Sequence, residues 1–575
     1  MTSTSTLKVA EVETAEPLAE SFAERLLVTA MVVNPLVSLD PTQLLAAAGR
    51  IGARALVQPR VLGRVVAGLG RELTDIALGR ATRAPEPADK RWTDPAFQNN
   101  RFYQRLMQIY LAWRAAVQRL VEEVELDPKS RERGRFALSL LTEAVAPTNS
   151  LLGNPAALKR AIDSGAKSLV SGARHFAADL WENGGLPSQV DRRPFRVGEN
   201  LATTPGQVVF RSEVLELLQY QPSTAKVFER PLLLIPPQIN KYYILDLAPS
   251  RSLIEFAVKQ GFQTFVVSWR NATPAQREWD LGTYIQALKD ASDAVLSITG
   301  SKRLNLAAAC AGGITTAVFT GHLAALRDDR VASATFMVTV LDTSVPSTVA
   351  ALVSEKSIAS SLRRSQRRGI LSGAELGRAF ALLRPNDLVW NYWVNNYLLG
   401  ADPPAFDILY WNNDSTNLPA ALHADFLALF VENSLCTPRR MEILGTKIDL
   451  GQVTADVYAV GALTDHITPW DACYRTPQLF GGNKVFVASS SGHIQALVNP
   501  PPAGKSRYFI NDNLVADAKA WLAAASEKKG TWWMHWAEWL RARSGPERAP
   551  ATELGNAAHP SLMAAPGRYV HQAAR

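Results

Sequence analysis

Cys310, Asp465 and His493 are the residues of this chain whose types, order and surroundings fit nucleophilic catalysis. A thiol attacks an acyl group efficiently when a base takes its proton and a third group orients the base. Cys310 lies in R-L-N-L-A-A-A-C-A-G-G, Arg303 to Gly313, where an apolar run of strand length ends among small residues; Ile314 to Arg327 then continues with helical spacing. Strand, tight turn and helix are the parts of a nucleophile elbow. Small neighbours two residues either side of the nucleophile, here Ala308 and Gly312, let strand and helix approach. A cysteine at a strand end is by itself an ordinary small hydrophobe, so its weight comes from the acid and the histidine downstream.

Asp465 occurs in V-G-A-L-T-D-H-I-T-P-W, just after the apolar stretch Asp456 to Gly461, and His493 in S-S-S-G-H-I-Q, just after Lys484 to Ala488. Asp465 also suits a helix N-cap before a segment starting near Thr468, and His493 suits a loop histidine satisfied by its neighbours. Capping leaves unexplained the order nucleophile, acid, histidine, which is that of α/β-hydrolases. It also leaves unexplained why both fall beyond the carboxyl ends of expected strands, where open α/β sheets form their sites. The backbone N–H of Ala311 is the expected first oxyanion donor. The second is expected near Gln238 or Ile239, in P-P-Q-I-N-K-Y-Y-I-L-D-L, Pro236 to Leu247.

The elements that must position these residues alternate. Pro231 to Pro237, Phe262 to Trp269, Arg303 to Ala309, Ala334 to Leu341, Asp456 to Gly461 and Lys484 to Ala488 read as strands. Ser252 to Gln260 and Thr283 to Thr299 read as helices closed by Gly261 and Gly300. The expected fold class is α/β, an α/β-hydrolase catalytic domain over 191–575, with a cap inserted at 342–450. Before it, 21–190 reads as a mostly helical domain, with periodic segments at Thr42 to Val57, Val61 to Gly79, Asn100 to Val124 and Ala157 to Leu180. Residues 1–20 are polar and Thr/Ser/Glu-rich, the composition of a flexible tail.

With 575 residues the chain is long for one core. The apolar run Leu26 to Val33 is too short to span a bilayer and follows acidic residues rather than a basic stretch, so no membrane span or export signal is expected, and the chain reads as cytoplasmic. Three scattered cysteines suggest neither a disulfide framework nor a zinc site. Net charge is +8, with basic clusters at Arg363, Arg364, Arg367 and Arg368 and at Arg131, Arg133 and Arg135. No nucleic-acid motif accompanies them, so a small anionic ligand is the preferred partner. Trp532, Trp536 and Trp539 share a helical face that reads as packing rather than as a polymer-binding surface.

Several longer stretches resemble the polyhydroxyalkanoate synthases, which polymerise (R)-3-hydroxyacyl-CoA into storage polyester. From about Asp89 onward the resemblance is carried by D-P-A-F (Asp94 to Phe97), A-P-T-N (Ala146 to Asn149), P-P-Q-I-N-K-Y-Y-I-L-D-L, A-C-A-G-G, R-P-N-D-L-V-W-N-Y-W (Arg384 to Trp393), D-I-L-Y-W-N-N-D (Asp407 to Asp414), T-D-H-I-T-P-W and S-G-H-I-Q. The family box is G-x-C-x-G, and Ala308 stands in place of its first glycine, which implies a tighter elbow. The resemblance implies Cys310 as nucleophile, Asp465 and His493 as its partners and His466 as the adjacent histidine on the substrate side, with no cofactor. T-W-W-M-H-W-A-E-W-L and A-P-G-R-Y-V-H resemble the single-subunit class acting on medium-chain monomers. It further implies a homodimer at the surface of the polyester granule.

For such a substrate, Arg384 and the basic pairs near Arg364 are candidates to meet the CoA phosphates, and Thr339, Ser491 and Gln495 to line the acyl pocket. The competing readings are a thioesterase or polyester depolymerase on the same scaffold, and a non-catalytic granule-associated protein.

Overall fold

The computed structural model describes residues 41–575 apart from 88, 346–354, 384, 503 and 575. The tail expected over 1–20 and the candidate Arg384 lie outside the described residues. Among the described residues the longer helices of the N-terminal part are α1 (Pro41–Leu56), α2 (Pro59–Ala77), α3 (Arg101–Glu123), α4 (Pro128–Ala144), α5 (Pro155–Asp163) and α6 (Lys167–Glu182). The side chains of Asn100, Asp127 and Asn154 cap α3, α4 and α5 by accepting backbone N–H groups of their first turns. The single helix expected over Ala157 to Leu180 is two, because Gly165 and Ala166 both take positive φ (58° and 65°) and turn the chain between α5 and α6.

An eleven-stranded sheet follows. Its strands are β1 (Gly206–Arg211), β2 (Leu215–Tyr220), β3 (Leu232–Ile235), β4 (Thr264–Trp269), β5 (Leu304–Ala309), β6 (Val331–Met337), β7 (Asp456–Ala462), β8 (Lys484–Ser489), β9 (Arg507–Ile510), β10 (Ser526–Lys529) and β11 (Met563–Ala564). Their spatial order is β10-β9-β8-β7-β6-β5-β3-β4-β2-β1-β11. Neighbours from β4 across to β8 pair in parallel. The outer pairs are antiparallel. β3, β4 and β5 are buried along their whole length, as a parallel sheet covered on both faces requires. Alternate side chains divide between two cores: Leu304, Leu306 and Ala308 face one, Ala307 and Ala309 the other.

Helices α7 (Leu253–Lys259), α8 (Leu281–Thr299) and α9 (Ala311–Ala325) connect the central strands. β6 runs earlier than the expected Ala334 to Leu341, because Val338 adopts φ 45° and ends it. Between β6 and β7 stand α10 (Glu355–Arg368), α11 (Gly373–Leu383), two π-helical segments (Asn386–Trp390 and Trp393–Leu398) and α12 (Ala420–Glu432). The N-terminal helices hold this insertion from behind. Tyr397 donates its hydroxyl to Asp179 (2.7 Å), Trp393 its indole N–H to the Asn149 carbonyl (3.0 Å), and Asn396 its amide to the Ser188 carbonyl (2.7 Å). Near the C-terminus α13 (Trp470–Arg475), α14 (His493–Leu497) and α15 (Trp532–Arg541) complete the layers. Trp532, Trp533 and Trp536 of α15 are buried, and Trp536 donates to Thr335 in β6 (3.0 Å), so this aromatic run packs the helix onto the sheet.

Candidate active site

β5 ends at Ala309, α9 begins at Ala311, and Cys310 alone makes the turn, with φ 49° and ψ −120°. Positive φ at a residue with a Cβ is strained and persists only where its surroundings fix it. The Cys310 N–H donates to the Met337 carbonyl of β6 (2.9 Å). On the other side, a Cβ on Gly312 would stand 2.5 Å from the Pro236 carbonyl oxygen and 2.6 Å from that of Ile235. Helix and strand therefore meet backbone to backbone. Ala308 is fully buried between Ile235 and Phe336 of the neighbouring strands. Thr339 is buried too; its hydroxyl faces the carbonyls of Met337 (3.1 Å) and Cys310 (3.3 Å), and Gly313 leaves the room for it.

Ala311 is the first residue of α9, where a backbone N–H has no intrahelical acceptor. Across from it, the loop after β3 is held by its neighbours. Trp269 donates to the Pro236 carbonyl (2.9 Å), and Thr416 donates to the Gln238 carbonyl (2.7 Å) while accepting the Asn240 N–H (2.8 Å). The Gln238 side chain turns inward and donates to Thr315 of α9 (2.9 Å). Ile239, Cys310 and Ala311 line one cavity together.

Asp465 and His493 follow β7 and β8 and meet there, both buried, with Asp465 Oδ2 2.6 Å from His493 Nδ1. Asp465 Oδ1 also accepts the N–H groups of Ile467 (2.8 Å) and Thr468 (3.0 Å). The helix N-cap expected near Thr468 is not formed, since α13 starts at Trp470 with Pro469 before it; one Asp465 oxygen instead ties its own loop while the other faces His493. Burial alone would depress the His493 imidazolium. The Asp465 charge and hydrogen bond, together with Cys310 within hydrogen-bonding reach, outweigh it and raise the group to about 10. Burial likewise opposes the Asp465 charge, yet His493 and Thr468 hold that carboxyl below its usual range.

The cavity at Cys310 measures about 180 Å³ and is walled mainly by apolar side chains, among them Ile239, Ile314 and Leu341 from the catalytic domain and Phe426, Leu429 and Phe430 from α12. Thr468 completes the wall beside the acid loop. Among the described residues the wall is made without Thr339, Ser491 and Gln495. Ser491 pairs instead with Ser489 (2.7 Å), and Gln495 is exposed on α14. His466, next to Asp465, is exposed as well.

Residues 231–500 match the α/β-hydrolase fold family, and residues 88–257 match the family described as "Poly-beta-hydroxybutyrate polymerase (PhaC) N-terminus". The chain is 49% identical over 541 residues to poly(3-hydroxyalkanoate) polymerase 1 of Ectopseudomonas oleovorans, covering 94% of this chain and 96% of that one. This chain belongs to the poly(3-hydroxyalkanoate) polymerase family. Polymerase 2 of the same organism is also 49% identical, over 94% of this chain and 96% of its own. The polymerase subunit PhaC of Cupriavidus necator is 40% identical over 86% of this chain and 85% of its own. Among the described residues no helix is long and apolar enough to cross a membrane.

Two features of this polymerase were not legible in its sequence. Phe426, Leu429 and Phe430 recur at helical spacing, a pattern that marks a buried face without saying what it faces. Thr468 stands three residues after Asp465, a spacing that signals a cap, and only the fold places its hydroxyl beside His493.

Proposed function

We propose that this polymerase joins medium-chain (R)-3-hydroxyacyl groups from CoA into polyester through a covalent thioester on Cys310. The observation that carries the reading is the meeting of three parts: a cysteine on a strained elbow, a buried Asp465–His493 pair within its reach, and an apolar cavity that opens on Cys310. Held by Asp465, His493 is a strong base and takes the Cys310 thiol proton. The Cys310 sulfur attacks the CoA thioester carbonyl. Its oxyanion is met by the N–H of Ala311 and one from the Gln238–Ile239 loop. The bond to CoA sulfur breaks, and the departing thiolate takes the proton from His493.

Exchange of one thioester for another costs almost nothing, which is why a thiol suits this step better than a hydroxyl. His493, now neutral, accepts the proton of an incoming 3-hydroxyl group. The freed oxygen attacks the Cys310 thioester, an ester bond forms, and Cys310 leaves as thiolate beside the reprotonated imidazole. Each ester bond made thus releases one CoA thiol. Water is the competing nucleophile, and the cap side chains Phe426, Leu429 and Phe430 oppose its entry by filling the far wall with hydrocarbon. On the same reading the enzyme works as a homodimer at the cytoplasmic granule surface, as the family resemblance implies.

The test is CoA release and polymer formation from 3-hydroxyoctanoyl-CoA in one tube, with Cys310→Ala alongside. Thiol release with insoluble polyester, abolished in the variant, supports the reading. Thiol release yielding only free hydroxy acid would make the protein a thioesterase, and unchanged release in the variant would remove Cys310 from the chemistry.

A further inference from the structure

The two oxygens of Asp465 do different work. Oδ1 takes backbone N–H groups, whereas Oδ2 takes both His493 Nδ1 and the Thr468 hydroxyl, each at 2.6 Å. Thr468 Oγ1 also lies 3.1 Å from His493 Nδ1, closing a triangle of carboxylate, hydroxyl and imidazole. The polarity of that triangle follows from proton counting. An ionised carboxylate has no proton to give, so the single Thr468 proton goes to Oδ2 and an oxygen lone pair is left facing Nδ1. If Nδ1 carried no proton, three acceptors would meet in a buried space with only the threonine proton between them. The triangle is satisfied when Nδ1 is protonated, and Nε2 is then the nitrogen left for Cys310.

Thr468 is itself held at several points. Its N–H bonds Asp465 Oδ1 (3.0 Å), its carbonyl accepts the Cys473 thiol (3.5 Å), and it is 9% exposed. It shares the cavity wall with Cys310, so rotation of its side chain would disturb the acid and the base together.

We infer that Thr468 is a positioning residue for this reaction: its hydroxyl locks the Asp465 carboxylate and fixes His493 as the Nδ1–H tautomer with Nε2 turned to Cys310. This rests on the covalent-cysteine reading above. Thr468 does not touch the reacting atoms and acts through the pair. Its loss should therefore slow both proton transfers while leaving substrate capture intact, a split that a purely structural residue would not produce.

The experiment compares full-length Thr468→Val and Thr468→Ser with the unaltered enzyme and with Cys310→Ala. It reads steady-state kcat and KM, the single-turnover burst of CoA from 3-hydroxyoctanoyl-CoA, and thermal unfolding. Valine keeps the branched shape and deletes the hydroxyl. We expect kcat and burst rate to fall roughly 10- to 100-fold, KM to stay within about twofold, and serine to recover the rate to within about threefold. A valine variant with undiminished kcat, or a serine variant as slow as the valine one, would overturn the inference, the second by showing that shape matters and the hydroxyl does not. Should valine unfold the protein, the serine variant decides alone: near-normal rate supports the role of the hydroxyl and a slow rate removes it. Undiminished CoA release by Cys310→Ala would instead bring down the covalent reading, a result distinguishable from failure of Thr468 alone.

Discussion

The reaction cavity has two walls of different construction. On the elbow side, backbone packs on backbone: Gly312 abuts the carbonyls of Ile235 and Pro236, and the Cys310 N–H is tied to β6. On the cap side the wall is made of side-chain tips, Phe426, Leu429 and Phe430, carried on α12. A backbone contact has no rotamer with which to give way, whereas a side-chain wall repacks. On the proposed reading, the elbow side governs whether acyl transfer happens and the cap side which acyl group fits.

That contrast can be broken from either side. The largest expected effect is Cys310→Ala, which should lower CoA release by at least about 10⁴-fold with unfolding temperature little changed. Asp465→Asn should follow, with kcat down by on the order of 10³- to 10⁴-fold, because an amide presents the wrong partner to Nδ1 and frees the ring. Gly312→Ala is the direct probe of the backbone wall. Its methyl would stand 2.5 Å from a carbonyl oxygen that cannot turn aside, so chemical denaturation should show a loss of about 1–3 kcal/mol along with activity.

On the cap side, Leu429→Phe should leave the fold intact and shift preference toward shorter acyl chains by about tenfold in kcat/KM, read by competition between 3-hydroxybutyryl- and 3-hydroxyoctanoyl-CoA. An equal loss for both substrates would show that the cap wall is as unforgiving as the elbow. The smallest effect expected is one of pH. His493 is raised from 6.5 to about 10, so the stability its proton supplies is fully present below pH 6.5 and is lost as pH rises through about 10. The difference in thermal unfolding between the unaltered chain and His493→Asn should narrow over that interval.

Much of the site could be read from the sequence because its determinants are local. Strand, small-residue turn and helix around Cys310 occupy consecutive residues, and Asp465 and His493 each follow a short apolar run that could only be a strand end. What remained hidden depends on partners distant in the chain. L-E-L-L-Q-Y, Leu215 to Tyr220, gave no strand signal because its glutamate is polar and its leucines do not alternate, yet it is β2 and wholly buried. Glu216 can lie there because Arg211 (Nε to Oε1, 2.7 Å) and the backbone N–H groups of Arg568 (3.0 Å) and Tyr569 (2.9 Å) surround its carboxylate. Those last two are supplied from the far end of the chain. β10, S-E-K-K, is exposed throughout and exists by pairing its backbone with β9; its charges suit an edge that must not recruit another strand.

The chain order Cys310, Asp465, His493 and the one-residue elbow at Cys310 are set by the sequence itself, since a turn of one residue between strand and helix is a local steric problem with few solutions. Tertiary structure decided which side chains wall the cavity at Cys310, that Asp465 ties its own loop with one oxygen and meets His493 with the other, and that the Thr468 hydroxyl faces His493. These are contacts between segments that meet only after the sheet has formed, and burial then makes each unshared proton or lone pair costly enough to fix its partner.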